Sequence, residues 1–248
     1  MDLGLTGRRA AVAAATAGLG YATAAALVAE GARVTICGSD EGRARAAAER
    51  LGAGTAWLVA DLSDPDGSER FVREAQAVMG GVDILVTNAP GPPPGTFAQT
   101  RAEDYPPALD LNLLSVVRMC LAAVPAMQAQ RWGRVVAITS VAVRQPMPTL
   151  ILSNTARAGA TGFLKTLARE VAGDGVTVNS VQPGLHDTER VGAVYGERLP
   201  DAVAGIPAGE LGRAADFGAV VAFLCSDQAR YITGAGLPVD GGVVEGLL

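Results

Sequence analysis

The 248-residue chain is 49% hydrophobic and 18% charged, enough apolar material for a sizeable core and too little charge for a disordered chain. Its formal net charge is −5 and it has no basic run longer than Arg8-Arg9, so nucleic acid is not an expected partner. Cys37, Cys120 and Cys225 are odd in number and scattered, which offers neither a disulfide framework nor metal-ligand spacing, and no metal site is expected.

The N-terminus resembles an export signal or membrane span at first sight, because Arg8-Arg9 precede the uncharged residues 10–29. Most of that run is alanine, with Gly18 and Gly20 in its middle, which is too weakly apolar for either role. It reads instead as a strand over 10–14, a glycine turn and a helix over 19–30. A cytoplasmic protein without a membrane partner is the expectation.

Further along, apolar runs at 34–37, 56–60, 84–87, 135–139 and 176–181 read as strands. Helical periodicity covers 41–51, 68–79, 108–130, 153–171 and 214–225. Strands apolar on both faces and separated by helices of this length pair in parallel through right-handed crossovers. The predicted fold is α/β, a doubly wound parallel sheet with helices on both faces. Thr100-x-x-Glu103 has the form of a capping box, and Pro106 and Pro107 predict an irregular first turn after it. Gly91-Pro92-Pro93-Pro94-Gly95 predicts a stiff, extended loop after the fourth strand. No linker or repeat interrupts the pattern, so residues 1–248 are expected to form one dinucleotide-binding domain.

The first strand runs into Ala13-Ala14-Ala15-Thr16-Ala17-Gly18-Leu19-Gly20 and then directly into a helix. Glycines at such a turn let backbone approach a pyrophosphate, while the helix N-terminus offers amide donors and a favourable dipole. This segment is similar to the TGxxxGxG of the short-chain dehydrogenase/reductase family. The similarity continues through Asp61-Leu62, Asn88-Ala89, Asn112, Ser140, Pro183-Gly184, Thr188, Tyr231-Ile232-Thr233-Gly234 and Val239-Asp240-Gly241-Gly242. The chain resembles its 3-oxoacyl-acyl carrier protein reductase-like members. That resemblance implies a single Rossmann-type sheet and a nicotinamide dinucleotide held by Ala14, Thr16, Gly18, Leu19, Gly20, Asp61, Leu62, Asn88, Ala89, Pro183, Gly184 and Thr188. It also implies a homotetramer or homodimer packed through the helices over 108–130 and 153–171.

Two departures bear on the coenzyme. Ala14 replaces the family's first glycine, which is expected to weaken or shift binding without abolishing it. At the end of the second strand, an acidic residue binds the ribose 2′-hydroxyl of NAD and a basic one the 2′-phosphate of NADP. Here those positions are Gly38 and Ser39. Ser39 with Arg43 favours NADP(H), and Asp40 argues the other way.

The family's reactive pair, a tyrosine followed four residues later by a lysine, aligns with Ser153-Asn154-Thr155-Ala156-Arg157. Tyr21, Tyr105, Tyr195 and Tyr231 have Ala, Leu, Leu and Ala at that spacing, so no other register restores it. Arg157 keeps a permanent cation for the nicotinamide ribose. Ser153 is a far poorer acid than a phenol, and it either orients a substrate oxygen or caps the helix. The resemblance leaves Ser140 as donor to the substrate oxygen and Asn112 as holder of a water or backbone group. His186, the one histidine, is either a general acid or a solvated loop residue. Tyr195 is a further proton donor, in a stretch over 187–209 expected to cover a small-molecule substrate as a lid. The expected activity is an atypical NADP(H)-dependent reduction of a carbonyl, quinone or enone. The alternatives are a cyclase, dehydratase or isomerase on the same fold, or a coenzyme-binding member without catalysis.

Overall fold

The computed structural model describes residues 1–52 and 54–247. Seven parallel strands form one sheet in the order β3-β2-β1-β4-β5-β6-β7. They are β1 (Arg9–Val12), β2 (Arg33–Gly38), β3 (Ala56–Val59), β4 (Ile84–Thr87), β5 (Gly133–Ile138), β6 (Val176–Pro183) and β7 (Gly236–Val239). The helices are α1 (Gly18–Ala29), α2 (Glu41–Leu51), α3 (Gly67–Met79), α4 (Tyr105–Leu109), α5 (Ser115–Ala129), α6 (Ile151–Val171), α7 (Glu189–Tyr195), α8 (Leu199–Ala204) and α9 (Ala214–Cys225).

Because side chains alternate along a strand, an all-apolar strand feeds two cores at once. Ala11, Leu85, Val135 and Ala137 point to one face, where Phe71, Met119, Met127 and Leu164 from α3, α5 and α6 cover them. Ala10, Val12, Ile84, Val86 and Val136 point to the other, against Leu27, Leu51, Phe217 and Val221 from α1, α2 and α9. The alanine-rich sequence of α1 lets α9 approach closely, Gly218 lying against the Ala22 carbonyl. β1 pairs with β2 on one side and β4 on the other, so the chain reverses its direction of winding there. A crevice opens at such a point beyond the strand C-termini.

Three local expectations are corrected. β7 was not predicted: four residues containing Gly236 and Pro238 carry no strand pattern, and proline is tolerated because β7 is an edge strand paired only to β6. The helix predicted over 108–130 is three pieces, α4, a π-helical turn over Asp110–Leu114, and α5. Its first turn is irregular as expected, a 3-10 turn over Ala102–Asp104 preceding Pro106 and Pro107. The capping box is not Thr100 with Glu103. Thr96 pairs with Gln99 and Asp104 accepts from the Arg101 amide at 2.7 Å, while the Thr100 hydroxyl donates to the Thr96 carbonyl at 3.2 Å. By composition, Ala102–Ala129 is long and apolar enough to cross a membrane. Here its apolar face, Met119, Cys120, Ala123 and Met127, is buried in the first core.

At the N-terminal end of the central strands, opposite the crevice, Asp83 is buried and accepts from Arg9 Nε at 2.8 Å, Arg9 Nη2 at 2.6 Å and Gln130 Nε2 at 3.0 Å. Burial pushes its carboxyl up, but the Arg9 and Gln130 bonds outweigh that and hold it below the usual carboxylate range. Removing one partner of such a pair leaves the other desolvated, so Asp83→Ala should cost about 3 kcal/mol in urea unfolding. The folded-state pKa lies below the unfolded one. The contribution is therefore complete above about pH 4 and is lost as pH falls through the folded value. Asp83→Asn should flatten that acid limb.

Candidate functional site

The crevice is a cleft of about 1310 Å³ across the strand C-termini. Its floor at one end is the turn between β1 and α1. The Cβ that any other residue would carry at Gly20 would lie 2.5 Å from the Ala14 carbonyl oxygen and 2.7 Å from Asn88 Nδ2, so only glycine closes this turn. Asn88 Nδ2 donates to the Ala14 carbonyl at 3.0 Å, tying the turn to the end of β4. Ala14 itself sits at φ +46°, in the left-handed region that favours glycine. α1 follows Ala17 at the N-cap position, with no side-chain cap and no acidic residue in its first turn. Its first amides are therefore free to meet an anion. Thr188 lies over this turn, its Cγ2 3.7 Å from where a Gly18 Cβ would be. A diphosphate fits this cradle.

Ser39 and Arg43, at the end of β2 and in α2, line the same end, as do Thr16, Leu19, Asp61 and Leu62. Thr16 Cγ2 fills the space that a side chain at Gly38 would need, so any larger residue there would have to displace the Thr16 side chain. Asp40 caps α2, accepting from the Arg43 amide at 2.8 Å, so its carboxylate is engaged with the helix. The Asp61 carboxylate is held below its usual range by the Ser63 hydroxyl and amide, at 2.7 and 2.9 Å.

At the other end the cleft reaches Ser140, Ser153, Arg157, Ala89, Pro183, Gly184 and His186. Ser140 Oγ accepts from the Ala142 amide at 3.1 Å, which leaves its proton to be donated into the cleft. Ser153 does not cap α6. The helix begins two residues before it, and Ser153 is buried in the first turn, with no hydrogen bond from its hydroxyl among the described residues. Arg157 is buried one turn further on. Its Nη1 donates to the Ile138 carbonyl at 3.0 Å and Nη2 to the Ala89 carbonyl at 3.3 Å. Burial, and then the charge of Arg190, push the guanidinium down to about 10, so it remains protonated at neutral pH.

Two sequence candidates stand apart from the rest. Asn112 is outside the cleft wall, in the π-helical turn, where Nδ2 donates to the Pro90 carbonyl at 3.0 Å. Its buried Oδ1 has no partner among the described residues. His186 reaches the cleft but is not a solvated loop residue. It is 3% exposed, its ring meets Phe217 edge-on at 5.1 Å between centroids, and Nδ1 lies 3.2 Å from the Gly184 carbonyl. Burial holds its pKa below the usual imidazole value, so it is neutral at pH 7. It also anchors the expected lid. The Asp187 amide donates to the Gly212 carbonyl at 2.9 Å and the Gly212 amide to Leu185 at 3.0 Å, joining the two ends of that segment.

The segment consists of α7, a 3-10 turn and α8, and presents Arg190, Val191, Val194, Tyr195, Arg198 and Ile206 to the cleft. The facing wall combines the proline-rich loop with residues 145–150, joined by the Gly95 amide to the Thr149 carbonyl at 2.7 Å and the Ile151 amide to the Gly95 carbonyl at 3.3 Å. Sequence reasoning missed this second wall, and within the lid it missed Arg190. Met147, Pro148 and Leu150 are apolar residues before a helix, a pattern shared by any loop that packs.

The sheet order, the glycine turn and the aligned serine define a member of the short-chain dehydrogenase/reductase family, and the chain belongs to that family of oxidoreductases. The family model described as "Enoyl-(Acyl carrier protein) reductase" matches residues 13–244. Among similar curated proteins, 3-oxoacyl-[acyl-carrier-protein] reductase FabG of Escherichia coli (strain K12) is 38% identical, over 96% of this chain and 97% of its own. Nodulation protein G of Rhizobium sp. (strain N33) is 34% identical over 96% and 98%. The crystal structure of L-sorbose reductase from Gluconobacter frateurii complexed with NADPH and L-sorbose matches all of both chains, with a TM-score of 0.95 and 28% identity. A blue fluorescent protein from a metagenomic library, in complex with NADPH, matches 97% of this chain and 99% of its own, with a TM-score of 0.90 and 30% identity.

Two substitutions in the turn should have opposite signs. Gly20→Ala forces backbone apart and should cost about 2 kcal/mol. Ala14→Gly relieves left-handed strain, offset by glycine's greater freedom when unfolded, for a net gain of about 0.5–1 kcal/mol. Thermal unfolding of the two variants beside the wild type checks both.

Proposed function

We propose that this chain is an NADP(H)-dependent reductase of a small-molecule carbonyl, quinone or enone, with an active site reorganised around the loss of the family's tyrosine and lysine. The observation that carries this reading is the cleft itself. It joins a diphosphate cradle at α1 to the Ser140 hydroxyl and the Arg157 guanidinium at its far end. The NADPH complexes of L-sorbose reductase and the blue fluorescent protein support the coenzyme. So does the β2 end, where Gly38 carries no acid, Asp40 is engaged as a cap, and Ser39 and Arg43 face the cleft. Bound NADPH supplies the hydride.

The chain's own residues do the rest. The α1 amides and Thr188 receive the diphosphate, and Asp61 and Leu62 flank the adenine end. Asn88, Ala89, Pro183 and Gly184 border the nicotinamide end, and Arg157 grips the ribose beside it. Ser140 donates to the substrate oxygen, and Ser153 orients that oxygen or a water. Asn112 acts through the Pro90 backbone it holds. The proton comes from water, from Tyr195 on the lid, or from an acidic hydroxyl of the substrate. His186 holds the base of the lid. Residues 1–248 act as one dinucleotide-binding unit with the 187–209 segment as its lid, in the cytoplasm. They assemble as a dimer or tetramer through α5 and α6, where Leu121 stands 67% exposed.

One observation favours a second reading. The Ser153 hydroxyl, which lines the cleft and makes no hydrogen bond among the described residues, is a poor acid where the family has a phenol, as suits a pocket that binds coenzyme without redox turnover or catalyses an isomerisation or dehydration.

Fluorescence titration should give micromolar NADPH binding and NADH weaker by about tenfold, about 1.4 kcal/mol. Arg43→Gln should close most of that gap. Ser140→Ala should lower turnover about 10²-fold or more while leaving NADPH affinity intact. Failure of both reduced coenzymes to bind at millimolar concentration defeats the proposal. Coenzyme binding with a product of unchanged oxidation state favours the second reading.

A further inference from the structure

We infer that Arg157 and Arg190 form a two-guanidinium clamp for an anionic, carboxylate-sized group on the substrate, at the inner end of the cleft. The inference rests on the reductase reading and names the charge its substrate carries.

The geometry begins with three consecutive carbonyls after β4. The Ala89 carbonyl accepts from Arg157 Nη2 at 3.3 Å, that of Pro90 from Asn112 Nδ2 at 3.0 Å, and that of Gly91 from Arg190 Nη2 at 3.4 Å. Two guanidinium groups are therefore held by carbonyls two residues apart in one short loop. One arrives from α6, buried and fixed by a second bond to Ile138; the other arrives from α7, exposed, on the lid. Both line the cleft.

Neither arginine makes an ion pair among the described residues, whereas Arg9, Arg118 and Arg134 each do. The acids bordering the cleft do not answer them. Asp61 is engaged by Ser63, and Glu189 lies exposed in the first turn of α7 without an ion pair to either. Two adjacent cations, one of them desolvated, repel each other, and Arg190's charge does lower the Arg157 pKa. An anion between them removes the repulsion and replaces lost hydration with charge-assisted hydrogen bonds.

Arg157 has five N–H donors, and carbonyls take two. The remaining donors suffice for a ribose hydroxyl and one carboxylate oxygen together. A lysine, with three donors on one nitrogen, would not divide them in this way. The anion also joins lid to floor, because Arg190 belongs to the segment hinged at the His186–Gly212 bridge.

The test uses the full chain saturated with NADPH, titrated calorimetrically with benzoate and with benzamide, which share a shape and differ in charge. Benzoate should bind about tenfold or more tightly than benzamide, and less so as salt is raised. Arg190→Gln, an exposed position, should remove most of that preference and Arg190→Lys should restore part of it. NADPH affinity should move by less than about twofold in either variant. Benzamide binding as well as benzoate, absence of binding by both, or a preference that survives Arg190→Gln overturns the clamp. So does a loss of NADPH affinity in Arg190→Gln, which would put this arginine on the coenzyme. If NADPH does not bind the wild type, the reductase reading fails by itself, and the same titration on coenzyme-free protein decides the clamp.

Discussion

The contact on which the rest of the cleft depends is the meeting of Gly20, the Ala14 carbonyl and the Asn88 amide at the point where the sheet reverses its winding. Three elements converge there, β1, α1 and the end of β4, with no room for a side chain at Gly20. Because Asn88 is bonded to Ala14, the position of the loop after β4 is set by the glycine turn. That loop in turn supplies the carbonyls that orient Arg157, Asn112 and Arg190. The coenzyme cradle and the reactive end are therefore built from one continuous set of backbone contacts.

Where the family's tyrosine and lysine align, this chain carries Ser153 and Arg157. The Ser153 hydroxyl is a far weaker acid than a phenol. The cation survives as Arg157, but in a different state from an exposed ammonium. Its guanidinium is pinned by carbonyls at the ends of β4 and β5 and desolvated by α6. A planar group held at two points cannot swing between partners as a lysine can, so the site is better suited to positioning charge than to relaying protons. The phenol on the cleft wall, Tyr195, lies on α7, in the segment between His186 and Gly212.

Much of this was legible in the amino-acid sequence because the strands are apolar on both faces. The runs at 84–87 and 41–51 coincide with β4 and α2, and the coenzyme candidates all fall along one cleft. What escaped did so for physical reasons. β7 is too short for periodicity and its pairing partner, β6, is over fifty residues away in sequence. The π-helical turn at Asn112 inserts one residue per turn into an apolar run that looks continuous, and no residue type announces it. A serine near a helix start reads as a cap, yet α6 extends one residue pair further back and buries Ser153. His186 lies in a loop, and nothing local reveals that Phe217, thirty-one positions on, packs against it. Local pattern encodes burial and period well. Contacts between distant loops are another matter.

The tie between Gly95 and residues 149–151 has a consequence for adaptability. One bank of the cleft is stitched by backbone bonds between Gly95 and residues 149–151, whereas the opposite bank is a helical hairpin tied at its base by Asp187 and Gly212, by the Ala208 amide to the Gly241 carbonyl, and by the Arg190 side chain to Gly91. New ligand preferences can thus be explored on the hairpin while the backbone of the facing bank stays in place. A laboratory library confined to Arg190, Val191, Val194 and Tyr195, none of them buried, would sample much of that bank at little cost to folding, whereas Ile206 is buried and is left unchanged.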